Sequence, residues 1–185
     1  DPDADATFVR QHLDPRVDAT FIRRPDAPTI VKRRYIDSYF FQKLFEVYQI
    51  DDTPMTGPAH DALCHTIHES GGEYDAVIVV DFGHGMIDGE AIRVVCDRAP
   101  WLAVNAQSNA GNLGYHTVSK YARADYVCVA EKEMRLEARD RGGDLRAMVA
   151  DVASRMRCDR VVVTRGAHGC LCYDDGAFSE APALA

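Results

Sequence analysis

No stretch of this sequence approaches eighteen consecutive apolar residues, so no helical membrane span is expected. The acidic first residues lack the apolar core of a secretory signal. Basic charge is short: 21 Lys and Arg stand against 29 Asp and Glu, a formal net charge of -8. General attraction to nucleic acid or to an anionic membrane is therefore not expected. None of the six cysteines (64, 96, 128, 158, 170 and 172) forms a CxxC pair, which removes the usual zinc and thioredoxin readings. Four of them fall at wide, irregular spacing and Cys170 and Cys172 lie two apart on one face of a strand, which fits reduced thiols in a cytoplasmic protein. There is no internal repeat or low-complexity tract. What remains is an ordinary globular composition, 46% apolar and 27% charged over 185 residues, enough for one domain with a real core.

The most informative stretch is Ala76-Val77-Ile78-Val79-Val80-Asp81-Phe82-Gly83-His84-Gly85. An unbroken β-branched run ending in turn residues predicts a strand buried on both faces, as in a parallel sheet between helices. In such folds ligands bind beyond the carboxyl ends of the strands. Asp81, Gly83 and His84 are accordingly candidates for ligand contact. For Asp81 the rival role is capping of its own turn; for His84 it is an exposed turn residue with no task.

The rest of the chain supports this edge. Val9 to Leu13 reads as a helix end. Ala19 to Arg23, Pro28 to Ile36 and Lys43 to Ile50 read as three strands of a small antiparallel sheet. Pro54 to Pro58 reads as a linker, dividing residues 1–53 from an α/β core over 54–185. From there helices (60–70, 88–97, 131–139, 144–156) alternate with strands (76–81, 102–104, 125–129, 159–164), which predicts βαβ units and a mostly parallel sheet. Cys170 to Tyr173 and Ala177 to Glu180, joined at Asp174-Asp175-Gly176, predict a closing hairpin.

Three further groups could carry chemistry. Val163-Thr164-Arg165-Gly166-Ala167-His168-Gly169 ends a buried strand with a hydroxyl and bare amides, which suits an anion or nucleotide; a tight turn between two strands is the plainer reading. Lys32 and Arg34 share one strand face and could meet an anionic ligand, or form only a solvated basic edge. Asn105, Gln107, Ser108, Asn109 and Asn112 make a neutral amide-rich loop suited to hydroxyl-rich ligands, or a solvated loop capping a helix that starts near Gly111. Asp81-Phe82-Gly83 spells the protein-kinase magnesium tripeptide, but no H-R-D loop precedes it. His65 and His68 share a helix face without a carboxylate beside them. The aromatics Tyr35, Tyr39, Phe40, Phe41, Phe45 and Tyr48 suit a lid core or a dimer contact better than base stacking.

Taken in order, Pro28-Thr29-Ile30-Val31-Lys32, Val80-Asp81-Phe82-Gly83-His84-Gly85 and Val163-Thr164-Arg165-Gly166-x-x-Gly169 resemble the ribokinase-type (PfkB) carbohydrate kinases, and most nearly the bacterial heptose-phosphate kinases. The resemblance covers most of residues 18–185. It implies a doubly wound, mostly parallel α/β sheet with a small antiparallel β lid over a sugar. It implies ATP and Mg²⁺ as cofactors, a sugar or sugar phosphate as substrate, a homodimer clasped through the lid, and in some relatives a fused nucleotidyltransferase domain. Carried over residue by residue, Thr164, Gly166 and Gly169 would bind nucleotide. Lys32, Arg34, Asp81, Gly83, His84, Asn105 and Gln107 would face the sugar. Glu133 would organise Mg²⁺ indirectly.

The chain also departs from that pattern. Ala130 stands where the family's Asn-x-x-Glu element has asparagine, and Asn105-Ala106-Gln107 replaces aspartate-proline-lysine. The Gly-Ala-Gly-Asp segment that carries the family's anion hole and catalytic base does not occur. The expectation is a piece of a longer kinase, inactive alone. The rival is a non-catalytic sugar- or nucleotide-binding module of the same fold.

Overall fold

A computed structural model describes residues 2–109 and 111–184. Readings that touch Asp1, Ala110 in the amide-rich loop, or Ala185 fall outside the described residues. An N-terminal helix, α1 (Pro2–His12), leads into an irregular segment and then a two-stranded antiparallel hairpin, β1 (Val31–Ile36) and β2 (Lys43–Gln49). The core follows: α2 (Gly57–Ser70), β3 (Val77–Asp81), α3 (Gly89–Arg98), β4 (Leu102–Ala106), β5 (Tyr126–Ala130), α4 (Glu131–Ala138), α5 (Leu145–Met156), β6 (Arg160–Thr164), β7 (Cys170–Asp174) and β8 (Ala177–Ala181). Strands β3 to β8 form one six-stranded sheet in sequence order. The first four strands are parallel, and β7 and β8 are added antiparallel. This is the mostly parallel α/β sheet with a separate small antiparallel sheet that the sequence implies.

The core lies on one face of that sheet. Val79, Val104, Val127, Val129, Val161 and Val163 pack with Ile92 and Val95 of α3, Met134 of α4, and Val149 and Val152 of α5. Period-2 burial on the strands meets period-3.6 burial on the helices. Asp88 caps α3, accepting hydrogen bonds from the Glu90 and Ala91 amides. A second cluster, Met55, Leu63 and Ala91, fixes α2 to α3.

Four expectations change. The strand β3 is not buried on both faces. It is the edge of the sheet, and Ile78 and Val80 are 70% and 51% exposed. Successive side chains alternate faces, and Ile78 and Val80 share theirs with Cys128 and Val162, opposite the face that packs the core. Residues 19–23 form no strand. The turn at Pro25-Asp26 leads them away from the hairpin, Ile22 packs on the Met55 cluster, and Arg10 sits over the Phe21 ring at 4.3 Å. Pro58 belongs to the first turn of α2, where its missing N–H costs nothing, so the linker ends earlier than expected. No helix starts near Gly111; residues 111–116 are turns leading to a short 3₁₀ segment, Val118–Lys120. No helix among the described residues is long and apolar enough to cross a membrane.

Candidate functional site

The carboxyl end of β3 is held by a buried polar network. Asp81 is 3% exposed. Its Oδ2 lies 2.6 Å from Lys120 Nζ and accepts from the Tyr121 hydroxyl at 2.7 Å, while Oδ1 accepts from the Gly83 amide at 3.0 Å. His116 Nε2 sits 3.4 Å from Oδ1 and 3.1 Å from the Asp81 carbonyl. Burial pushes this carboxyl up, but Lys120, Tyr121 and the Gly83 amide together outweigh it and hold it below its usual value. Both Asp81 oxygens are thus engaged within the protein. Burial and the Asp81 carboxylate push the Tyr121 hydroxyl far above its usual range, so it serves only as a donor.

The turn beyond Asp81 needs its glycines. Gly83 has φ +67°, and a Cβ there would lie 2.2 Å from Asn112 Nδ2 and 2.7 Å from the His116 ring. The amide-rich loop folds over this turn. Asn109 and Asn112 donate to the Phe82 carbonyl at 3.0 and 3.2 Å, and Asn112 also to that of Gly83 at 3.3 Å. The amides expected to face ligand are therefore largely spent on the turn. Asn105 lies within β4 rather than in the loop, donating to the Cys128 carbonyl at 2.7 Å.

Between this turn and the hairpin lies a pocket of about 290 Å³. Lys32 and Arg34 from β1, His84 from the turn and Gln107 from the end of β4 line it together. Lys43, Glu46 and Tyr48 from β2, with Ile30, Phe82, Ser108 and Asn109, complete its walls. The register explains the lid side: Lys32 pairs with Tyr48 and Arg34 with Glu46, so all four point to one face of the hairpin. Burial lowers the basicity of His84, and His116 and Lys32 add to the effect against Asp52 and Asp81. A neutral imidazole at neutral pH follows. Behind the turn, between α1 and the 21–30 segment, is a second cavity of about 560 Å³, mostly apolar in its walls.

The strand-end turn at Thr164 is separate. It lies three strands from β3, about 14 Å away at the usual strand spacing. Gly166 has φ +57° with no atom within 4 Å of a built Cβ, and its carbonyl accepts from the Gly169 amide at 3.0 Å. Gly169, at φ +76°, packs instead against the Ala181 carbonyl and closes the β6–β7 connection. Glu133 spends both carboxylate oxygens on backbone amides, those of Ser108 at 2.9 Å and Ala130 at 2.7 Å. No cluster of three His, Cys, Asp or Glu able to hold a metal occurs among the described residues. All six cysteines are free thiols.

Sequence reasoning passed over His116, Lys120, Tyr121, Lys43 and Glu46. The signal available for Lys120 was indirect: a buried aspartate demands a cation, but nothing in a local window says which one. Lys43 and Glu46 required the strand register.

No family model matches the chain. Bifunctional protein HldE from Nitrobacter hamburgensis is 25% identical over 150 residues, 78% of this chain and 30% of that protein. Ribokinase from Thermotoga maritima superposes with a TM-score of 0.60 at 15% identity, over 85% of this chain and 49% of its own. Phosphofructokinase-2 from Escherichia coli in complex with fructose-6-phosphate gives 0.56 at 14% identity, over 82% of this chain and 50% of its own. The chain therefore spans less than a third of the curated relative and about half of these solved structures. It has the ribokinase-type fold, and the resemblance to ribokinase-type carbohydrate kinases read from its motifs holds.

Proposed function

We propose that these residues form the sugar-binding part of a ribokinase-type carbohydrate kinase, and that its substrate is an anionic sugar such as a sugar phosphate. The observation that carries this reading is the convergence of Lys32, Arg34, His84 and Gln107, from three separate stretches of sequence, on one pocket under a hairpin lid. Three cations and one carboxylate line it, and hydroxyl-binding groups stand beside them, which is the chemistry of a phosphorylated polyol. Asp81 and Asn105 we assign to holding the strand ends rather than to sugar contact, and Gly83 to shaping the turn.

The phosphoryl donor in this reading is ATP with Mg²⁺. The open space beside Gly166 and the Thr164 hydroxyl fit a nucleotide phosphate, whereas the Gly169 fit is to the protein's own chain. The residues present do not fit a direct Mg²⁺ site, because Glu133 spends both carboxylate oxygens on backbone amides. The 185 residues contain no Gly-x-Gly-Asp segment to supply a base and an anion hole, so we infer binding without turnover for this chain alone. Full engagement of Glu133 and the alanine at position 130 equally suit a non-catalytic binding module. A fused nucleotidyltransferase domain and a cytoplasmic location, suited to six free thiols, complete the proposal.

The test is a thermal-shift panel of hexose and heptose phosphates, their unphosphorylated sugars, and ATP with Mg²⁺. A sugar phosphate at a hundred times its Kd should stabilise the fold by about 2.7 kcal/mol. No sugar should be phosphorylated. A response to ATP with none to any sugar phosphate would favour a nucleotide-binding module, and turnover would overturn the inferred inactivity.

The hairpin's other face, with Tyr35, Phe45 and Val47, is exposed, as are Tyr39, Phe40 and Phe41 at its tip. An isolated hairpin is marginal in water, and we propose that a second copy covers this face. Sedimentation should give a dimer that Phe45→Lys dissociates; a monomeric wild type would sink the idea.

A further inference from the structure

The pocket's one carboxylate is out of place for a site that takes an anion. Glu46 is only 11% exposed at its side chain, and its Oε1 accepts from Arg34 Nε at 2.6 Å. Lys43 Nζ lies 3.4 Å from the same oxygen. The Tyr48 hydroxyl donates to Oε2. Tyr48 first, then Arg34 and more weakly Lys43, hold this carboxyl down to about 2 against the opposing effect of burial, so it is ionised throughout the neutral range. Counted as charges, Glu46 should repel an anionic ligand.

The geometry gives it another role. Arg34 uses only Nε on Glu46, and its two terminal nitrogens make no hydrogen bond among the described residues. That pair of nitrogens is one of the edges a guanidinium offers to a phosphate in bidentate contact. Anchoring Nε fixes the plane of the fork, so less rotamer freedom is lost when an anion arrives. Lys32, on the same face, lies 5.0 Å from the Tyr48 ring centroid and has no carboxylate partner among the described residues. Tyr48 therefore serves twice, as a donor to Glu46 and as a platform for Lys32.

We propose that Glu46 is a positioning residue: it presents the free edge of Arg34, beside Lys32, to the phosphate of the substrate, and so sets a preference for phosphorylated over unphosphorylated sugars. This rests on the sugar-phosphate reading of the pocket. Electrostatics and positioning predict opposite signs for one substitution. Removing a negative charge from among cations strengthens anion binding if charge alone matters, whereas releasing Arg34 weakens it.

The experiment compares wild type with Glu46→Gln by calorimetric titration. The ligands are the tightest-binding sugar phosphate of the panel, its unphosphorylated sugar, and inorganic phosphate. Positioning predicts about tenfold weaker sugar-phosphate binding, the scale of one charge-assisted hydrogen bond, with the unphosphorylated sugar unaffected. Tyr48→Phe leaves the charge in place, tests the second anchor, and should give a smaller loss of the same sign. Melting temperatures and circular dichroism of each variant separate a lost contact from a lost fold. Equal or tighter binding by a folded Glu46→Gln overturns the positioning role and leaves the sugar-phosphate reading standing. Failure of the wild type to bind either sugar phosphate or inorganic phosphate overturns both.

Discussion

Gly85→Ala is expected to destabilise the chain by roughly 3 kcal/mol and to abolish ligand response in the lid pocket, the cost combining a left-handed backbone with an overpacked contact. Gly85 sits at φ +78°, and a built Cβ lies 2.0 Å from the Thr53 carbonyl oxygen and 2.9 Å from that of Asp52. Those atoms are backbone, so no side-chain rotation relieves the collision. The Gly85 carbonyl also accepts from the Met55 amide at 2.7 Å, and Met55 is the buried anchor of the segment leading from β2 to α2. Displacing it moves the base of the lid relative to His84. Gly114→Ala is the control: its φ is +84° with nothing within 4 Å, so it bears the conformational cost alone, about 1–2 kcal/mol. Urea denaturation of the pair checks the argument. Equal losses at the two positions would show that the close approach to Thr53 contributes nothing.

Those two sites also show what local sequence can carry. A glycine after a strand end reads as a turn, and the turn at Gly83 and Gly85 was legible; the partner that makes Gly85 irreplaceable lies thirty-two residues earlier. The mostly parallel sheet was legible because its strands are short, apolar and separated by helical periods. Lys32 and Arg34 were legible as one face because period 2 is a local property. Glu46 and Tyr48 were not, since they join that face only through the register of β1 against β2. The edge position of β3 was hidden for a related reason. The run Val77–Val80 is as apolar as a strand buried on both faces, and composition does not report which strands flank it. Residues 19–23 carried strand propensity and formed none, because tertiary packing of Ile22 prevailed.

Asp81 sets the other large effect. Lys120→Met should cost about 3–5 kcal/mol at neutral pH, because it strands a buried carboxylate without its cation. The loss should depend on pH with a definite sign. In the wild type the Asp81 carboxyl is held below its unfolded value, so its contribution is present above the unfolded pKa and is lost as pH falls through the lowered one. Without Lys120, burial is the largest influence on the group and is opposed only by Tyr121 and the Gly83 amide. The folded carboxyl should then titrate above its unfolded value, and protonation relieves the penalty as pH falls. The gap in stability between wild type and variant should therefore narrow between pH 7 and pH 4. Denaturation midpoints across that range measure it, and a gap that stays constant or widens on acidification would show that Lys120 acts through packing rather than charge. Asp81→Asn in the Lys120→Met background supplies the closing comparison. With the charge gone, the double variant should recover part of the loss at pH 7 and show no pH dependence from this site, as the coupling of two groups in contact requires.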